Sequence, residues 1–193
     1  MNLYPLGKFL VSTIFFPLYR IKVIGKENFP DEGGVLLCTN HIHNFDPPVV
    51  GITCPRTVHF MAKEELFKVP VLKSILPNVN AYPVKRGMSD REAFRKTLKL
   101  LKDDKVVGLF PEGTRSKTGE LGKGLAGAGF FALKGNVAVV PCAIIGSYKP
   151  LKRLKVIYGT PLEMDEFRER KASAEEVTEA IMEAIGQLIE KNK

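Results

Sequence analysis

Two side chains near the front of the sequence, His41 and Asp46, are spaced so that a turn could bring an imidazole and a carboxylate together. They lie in Asn40-His41-Ile42-His43-Asn44-Phe45-Asp46-Pro47-Pro48, and a regular helix would send them to different faces. A carboxylate bonded to one ring nitrogen fixes the tautomer and leaves the other nitrogen free to take a proton. It also stabilises the imidazolium that forms. Such a pair is a general base for a hydroxyl nucleophile. Other readings of the same residues stay open. Asp46 could cap the helix that Pro47 and Pro48 are suited to start, or His43 could work in place of His41. Cys38, His41, His43 and Cys54 could also hold zinc, but their spacing matches no standard zinc pattern, and a cysteine inside an apolar strand is commonly a core residue. No metal is expected.

A second run, Phe110-Pro111-Glu112-Gly113-Thr114-Arg115-Ser116, is more specific. Gly113 lets backbone approach a ligand closely, and Arg115 offers a planar fork of donors matched to a phosphate. The plainer alternative is a surface turn with a solvated arginine. That alternative weakens because both runs follow strand-like segments, and α/β proteins keep their chemistry in loops at the carboxyl ends of strands.

The elements that must position these loops alternate between strand and helix patterns, as in an α/β domain. Strands are expected at Val35–Thr39, Thr57–Met61, Ala81–Val84, Lys105–Phe110, Val137–Ile145 and Leu154–Tyr158. Helices are expected from about Glu64 to Leu76 and from Ser89 to Lys102, the latter with a Ser89/Glu92 capping box. A last helix opens at Ser173 with Glu176 three residues on, and its Val177, Ile181, Ala184, Ile185 and Leu188 stripe is assigned to packing. The expected fold is a single α/β domain over 23–193, with a mixed, largely parallel sheet flanked by helices. Residues 1–22 form a separate apolar, membrane-associating segment.

That segment runs LYPLGKFLVSTIFFPLY from Leu3 to Tyr19, is interrupted by Lys8 and closed by Pro17, and is too short to cross a bilayer. It is read as a helix lying in the interface, with Phe9, Phe15, Phe16 and Tyr19 towards lipid and Lys8, Arg20 and Lys22 near headgroups. A core helix would show a similar stripe. The 193 residues carry 29 Lys+Arg against 21 Asp+Glu, a net charge of +8, which points to an anionic partner. Three cysteines, Cys38, Cys54 and Cys142, form no disulfide framework and read as free thiols in a reducing compartment.

The two motifs together resemble the glycerophospholipid acyltransferase superfamily, and specifically the bacterial lysophosphatidic acid acyltransferases of the PlsC family. Met61 to Leu66, Tyr82 to Gly87, Gly124 to Phe131 and Val140 to Ile144 resemble further segments of that family. It often has a serine where this chain has His43. The resemblance implies a 1-acyl-sn-glycerol-3-phosphate O-acyltransferase, moving a fatty acyl group from acyl-ACP or acyl-CoA to the hydroxyl of lysophosphatidic acid. It implies His41 as general base and Asp46 as its orienting partner. Lys63, Arg86 and Arg115 would hold the acceptor's phosphate, and Glu112, Gly113 and Thr114 would shape the site. A backbone N–H near Gly113 is the candidate oxyanion donor. No cofactor is bound on this reading. The expected partners are the two substrates, an anionic membrane surface and an acyl carrier protein, at the cytoplasmic face of the cell membrane.

Two rivals remain: the same chemistry on glycerol 3-phosphate or another lysophospholipid, and a non-catalytic basic module that binds membrane. Nucleic acid is not expected, because no RNA-binding sheet pattern or helix-turn-helix signature is visible. Gly122, Gly124 and Gly127 spell G-x-G-x-x-G, but outside an opening βαβ unit the dinucleotide mechanism lacks its context.

Overall fold

The computed structural model describes residues 4–85 and 90–193. The chain runs α1 (Tyr4–Leu18), β1 (Lys22–Ile24), β2 (Val35–Thr39), α2 (Asp46–Thr53), β3 (Val58–Lys63), α3 (Pro70–Ile75) and β4 (Ala81–Val84). It continues α4 (Arg91–Lys102), β5 (Val106–Leu109), α5 (Gly127–Gly135), β6 (Ala138–Gly146), β7 (Leu154–Tyr158), α6 (Asp165–Glu169) and α7 (Ala174–Asn192). The strands form one seven-stranded sheet in the order β1-β7-β6-β2-β5-β3-β4. Every neighbouring pair is parallel except β6 with β7. This is the mixed, largely parallel α/β sheet the sequence implies.

Strand β2 reads as an unbroken apolar run because both of its faces are covered. Val35 and Leu37 join Val49, Val50, Val140 and Tyr19 on one side. Leu36 and Cys38 join Leu101, Phe131, Val177 and Ile181 on the other. Successive side chains of a strand point to opposite faces. Helices α1 and α2 therefore cover one face, and α4, α5 and α7 the other. The connection through α5 carries the chain from β5, on one flank of β2, to β6 on the other. The loop after β2 thus opens at the carboxyl edge of the sheet where neighbouring connections diverge, the usual place for a ligand crevice.

Three local differences from the sequence reading have physical causes. The single helix expected over 64–76 is a 3-10 turn (Glu64–Lys68), then α3, then a second 3-10 turn (Leu76–Val79). Pro70 forces the preceding Val69 into extended backbone, which stops the first turn. Helix α4 is capped by Asp90, whose carboxylate accepts from Ala93 N at 3.0 Å; Ser89, the expected cap, lies outside the described residues. The expected lipid contacts of the first segment also need revision. Phe15 and Tyr19, four apart on one helical face, turn inward onto the core, and Lys8 donates to the carbonyl of Cys54 at 2.7 Å. The outward face of α1 is Leu6, Phe9, Leu10 and Ile14. Among the described residues no helix is long and apolar enough to cross a membrane.

Candidate active site

The loop after β2 is fixed before it reaches His41. The Asn40 side chain donates to Ile144 O at 2.9 Å and accepts from Ile144 N at 2.7 Å. Its amide thereby mimics a peptide unit and carries the β2–β6 pairing one residue further. The next residue is held from the other flank. His41 N donates to Oε2 of Glu112 at 2.8 Å, and Ser116 N donates to His41 O at 2.8 Å. Both groups come from the Phe110–Ser116 run after β5, so the second motif clamps the backbone of the first.

Beyond His41 the chain folds back as a turn. Nδ1 of His41 lies 2.7 Å from Oδ2 of Asp46, and the same oxygen accepts from Ile42 N at 2.6 Å and His43 N at 2.7 Å. Its other oxygen accepts from the hydroxyl of Tyr148 at 2.6 Å. Asp46 is fully buried, and four donors converge on its carboxylate, so Nδ1 carries the proton and Nε2 is left as an acceptor. The helix-cap alternative for Asp46 does not hold, because its carboxylate bonds backwards to Ile42 and His43 and makes no cap bond to α2. His43 is not the residue whose ring meets Asp46: it stacks on Tyr148 at 4.3 Å, and its Nδ1 accepts from Phe45 N at 3.2 Å. The His41 ring stacks on Phe110 at 4.0 Å, which holds its plane.

Tyr148 follows β6 and was not foreseen in the sequence. Burial first, and the adjacent Asp46 charge second, push its phenol far above the usual range, so it remains a donor to the carboxylate. It also meets Tyr19 edge-on at 5.3 Å. Asn40 was part of the quoted motif, but its splice onto β6 was not foreseen either. In both cases the partner lies about a hundred residues away, where no local pattern reaches.

The remaining expected residues divide as follows. Glu112 is buried and bridges His41 N and Gly122 N, the latter at 2.8 Å. Gly113 takes φ of +67°, a turn conformation that suits glycine, and its N–H donates to Phe110 O at 3.0 Å. That amide is therefore committed inside its own turn and is not an open oxyanion donor. Thr114 and Arg115 are exposed, and the Arg115 side chain makes no hydrogen bond or ion pair among the described residues. Lys63 ends β3, next to β5, and pairs with Glu65 at 3.1 Å. Arg86 lies outside the described residues. Lys63 thus ends β3, and Arg115 stands in the loop after the neighbouring β5, next to the Ser116 that bonds His41 O.

The four residues considered for zinc are not brought together. Cys38 and Cys54 pack on opposite faces of the sheet, and burial pushes their thiols up to about 12 and about 11. Among the described residues no group of three or more His, Cys, Asp or Glu is placed to hold a metal. The glycine run has a packing role: a side chain at Gly124 would strike Thr178 and Met182 of α7.

With this geometry in hand, four similarities bear on the chain. Residues 20–145 match the family model described as Acyltransferase. A 1-acyl-sn-glycerol-3-phosphate acyltransferase of Bacillus subtilis is 35% identical over 179 residues, covering 87% of each chain. The chloroplastic 1-acyl-sn-glycerol-3-phosphate acyltransferase LPAT1 of Arabidopsis thaliana is 30% identical over 75% of this chain, which spans only 41% of that longer protein. The crystal structure of the 1-acyl-sn-glycerophosphate acyltransferase PlsC from Thermotoga maritima superposes with a TM-score of 0.73, covering 99% of this chain and 96% of the other. At 20% identity that last likeness speaks for the fold alone. The family expected from the two motifs is the one found: the chain belongs to the acyltransferase family.

Proposed function

We propose that this protein transfers a fatty acyl group from an acyl thioester to the free hydroxyl of lysophosphatidic acid, giving phosphatidic acid. The observation that carries the reading is the His41–Asp46 pair, joined at 2.7 Å with Nε2 left as the proton acceptor. The relatives named as 1-acyl-sn-glycerol-3-phosphate acyltransferases support the choice of acceptor.

In this mechanism Nε2 of His41 takes the proton of the acceptor hydroxyl as its oxygen attacks the thioester carbonyl. Asp46 holds the ring and stabilises the imidazolium. The tetrahedral intermediate collapses with cleavage of the C–S bond, and the imidazolium returns the proton to the departing thiolate. No acyl-enzyme forms. Arg115 and Lys63, with Arg86, bind the acceptor's phosphate. Glu112 and Gly113 hold the loop in shape, and Thr114 borders Arg115. These residues carry the chemistry without a bound cofactor, the donor being acyl-ACP or acyl-CoA.

We take the protein to work at the cytoplasmic face of the cell membrane, peripherally or monotopically. Support comes from the outward Leu6, Phe9, Leu10 and Ile14 of α1, with Phe9 67% exposed, and from the net charge of +8 at an anionic surface. Residues 1–22 are the membrane-facing segment on this reading, and 23–193 the catalytic domain.

The test is acyl transfer by purified protein with one acyl thioester, offered lysophosphatidic acid, glycerol 3-phosphate or lysophosphatidylcholine in detergent micelles. Product with lysophosphatidic acid alone supports the reading. Product only with another acceptor keeps the chemistry and changes the substrate. No product with any acceptor overturns it.

A further inference from the structure

The chain between Lys63 and β4 is apolar, yet it contributes nothing to the core. No residue of the two 3-10 turns or of α3, over 64–79, is buried, and Val69 between them is exposed. Leu66, Val69, Val71 and Ile75 all stand out from the surface, Val71 at 67%. Eleven large apolar side chains are exposed among the described residues. Eight of them lie in two places, four in this segment and four on the outward face of α1. Exposed leucines scattered singly are ordinary, whereas a contiguous patch marks a surface that something covers.

The two groups adjoin. A methyl group placed on Gly7 of α1 would lie 3.9 Å from Cγ1 of Val79, so the second 3-10 turn rests on the amino-terminal half of α1. Leu10 is one helical turn from Gly7. The apolar side of α1 thus continues onto the segment.

Charge says what covers this surface. Residues 66–89 contain Lys68, Lys73, Lys85 and Arg86 and no Asp or Glu, and residues 1–26 contain none either. Exposed acids gather instead on α7, over the other face of the sheet, at Glu175, Glu179, Glu183 and Glu190. A patch both apolar and cationic is matched by an anionic bilayer, which offers hydrocarbon and negative headgroups together.

Resting on the membrane-surface reading above, we propose that 64–79 is a second bilayer-contacting element, entering the interface beside α1. Val69, Val71 and Ile75 go among the acyl chains, and Lys68 and Lys73 meet headgroup phosphates. The segment begins where β3 ends at Lys63. Its seat in the bilayer therefore sets that cation at headgroup level, where a phosphate-bearing lipid reaches it without leaving the leaflet.

The chain has no tryptophan, so Val71→Trp, at an exposed position where folding is not at stake, gives a single reporter. Glu183→Trp on α7 is its control. Both are titrated with phosphatidylglycerol vesicles, with and without brominated acyl chains, while flotation follows binding. The proposal expects Val71→Trp emission to shift to the blue and to be quenched by the brominated lipid, with Glu183→Trp unaffected. Val71→Ser with Ile75→Ser should weaken flotation about tenfold or more, with the melting temperature as in wild type. Val71→Trp emission that stays unchanged in vesicle-bound protein would mean that α1 docks alone, and would overturn the proposal. So would undiminished flotation of the Ser pair. If that pair instead breaks up a dimer seen by sedimentation without lipid, and flotation is unchanged, the patch joins two copies of the chain and the proposal falls. Wild-type protein that does not float at all overturns it together with the membrane-surface reading. A quenched Val71→Trp in a protein with no turnover keeps the bilayer contact and sinks the acyl-transfer reading.

Discussion

The hydroxyl of Tyr148 donates to Oδ1 of Asp46 across 2.6 Å, from a residue 102 positions further along the chain. It fills the lone pairs that His41 and the two backbone amides leave open, so the carboxylate has one orientation and His41 inherits it. Tyr148→Phe keeps the ring stacked on His43 and edge-on to Tyr19 but removes this bond. We expect turnover to fall about tenfold with KM for lysophosphatidic acid little changed, and stability to drop by about 1.5–3 kcal/mol, the range for a hydrogen bond to a charged group. Steady-state kinetics beside calorimetry would check both. Wild-type turnover in a destabilised Tyr148→Phe protein would show that the contact serves only the fold.

Glu112 joins the two motifs by accepting from His41 N and Gly122 N, each at 2.8 Å. Glu112→Ala strands two amides at a buried position, a cost of about 1–3 kcal/mol for each group left unpaired. Calorimetry should register a lower Tm by several degrees, at about 2–4 °C per kcal/mol for a chain of this size. Turnover should fall with it, because His41 loses its backbone clamp. Glu112→Gln keeps one acceptor and should lie between Ala and wild type; a Gln variant as impaired as Ala would mean that the charge, not the clamp, matters.

The three buried cysteines give the stability a pH dependence with a definite sign. Burial raises Cys38 to about 12 and Cys54 to about 11, from an ordinary 9.0, and raises Cys142 as well. The folded state therefore holds protons that the unfolded state releases. This contribution is fully present below about pH 9 and is lost as pH rises through 9 towards 11 and 12. Chemical denaturation across that window should show stability falling with pH, and falling less in a Cys54→Ala, Cys142→Ala protein. At pH 8 the native thiols should resist alkylating reagents that modify the unfolded chain rapidly; equal rates in both states would contradict the burial.

Because Tyr19 is buried and Phe15 packs on the core, cutting away α1 would damage the fold together with any lipid contact. Substitution on its outward face separates the two. Phe9→Asp with Leu10→Asp should weaken flotation with phosphatidylglycerol vesicles about tenfold or more, given about 1.5–3 kcal/mol for each large apolar side chain withdrawn from lipid. The melting temperature should stay close to wild type. Undiminished flotation would refute the interfacial role of this face.

How much of this could be read from the sequence depended on range. Val35–Thr39 announced itself because a strand covered on both faces is an unbroken apolar run, and the His41/Asp46 turn is local. The Phe110–Ser116 motif was legible as a phosphate-suited loop, but its clamp on His41 spans 71 positions and left no trace in spacing. Tyr148 and the Asn40 splice were hidden for the same reason, at separations of 102 and 104. The broken segment after Lys63 is different. Pro70 stands in plain view inside the helix expected over 64–76, and it is what breaks that helix. On α1 the stripe was visible but its direction was not, since a helix seated on a core and one seated in lipid carry similar patterns until a partner such as Tyr148 or Gly51 is known.

The central claim is that His41 moves the proton of the acceptor hydroxyl, and single-turnover acyl transfer to lysophosphatidic acid by His41→Ala tests it most directly. The account predicts a loss of about 10²–10⁴-fold in rate, with melting temperature and acceptor binding as in wild type. A His41→Ala protein that transfers acyl groups within about twofold of the wild-type rate would contradict it.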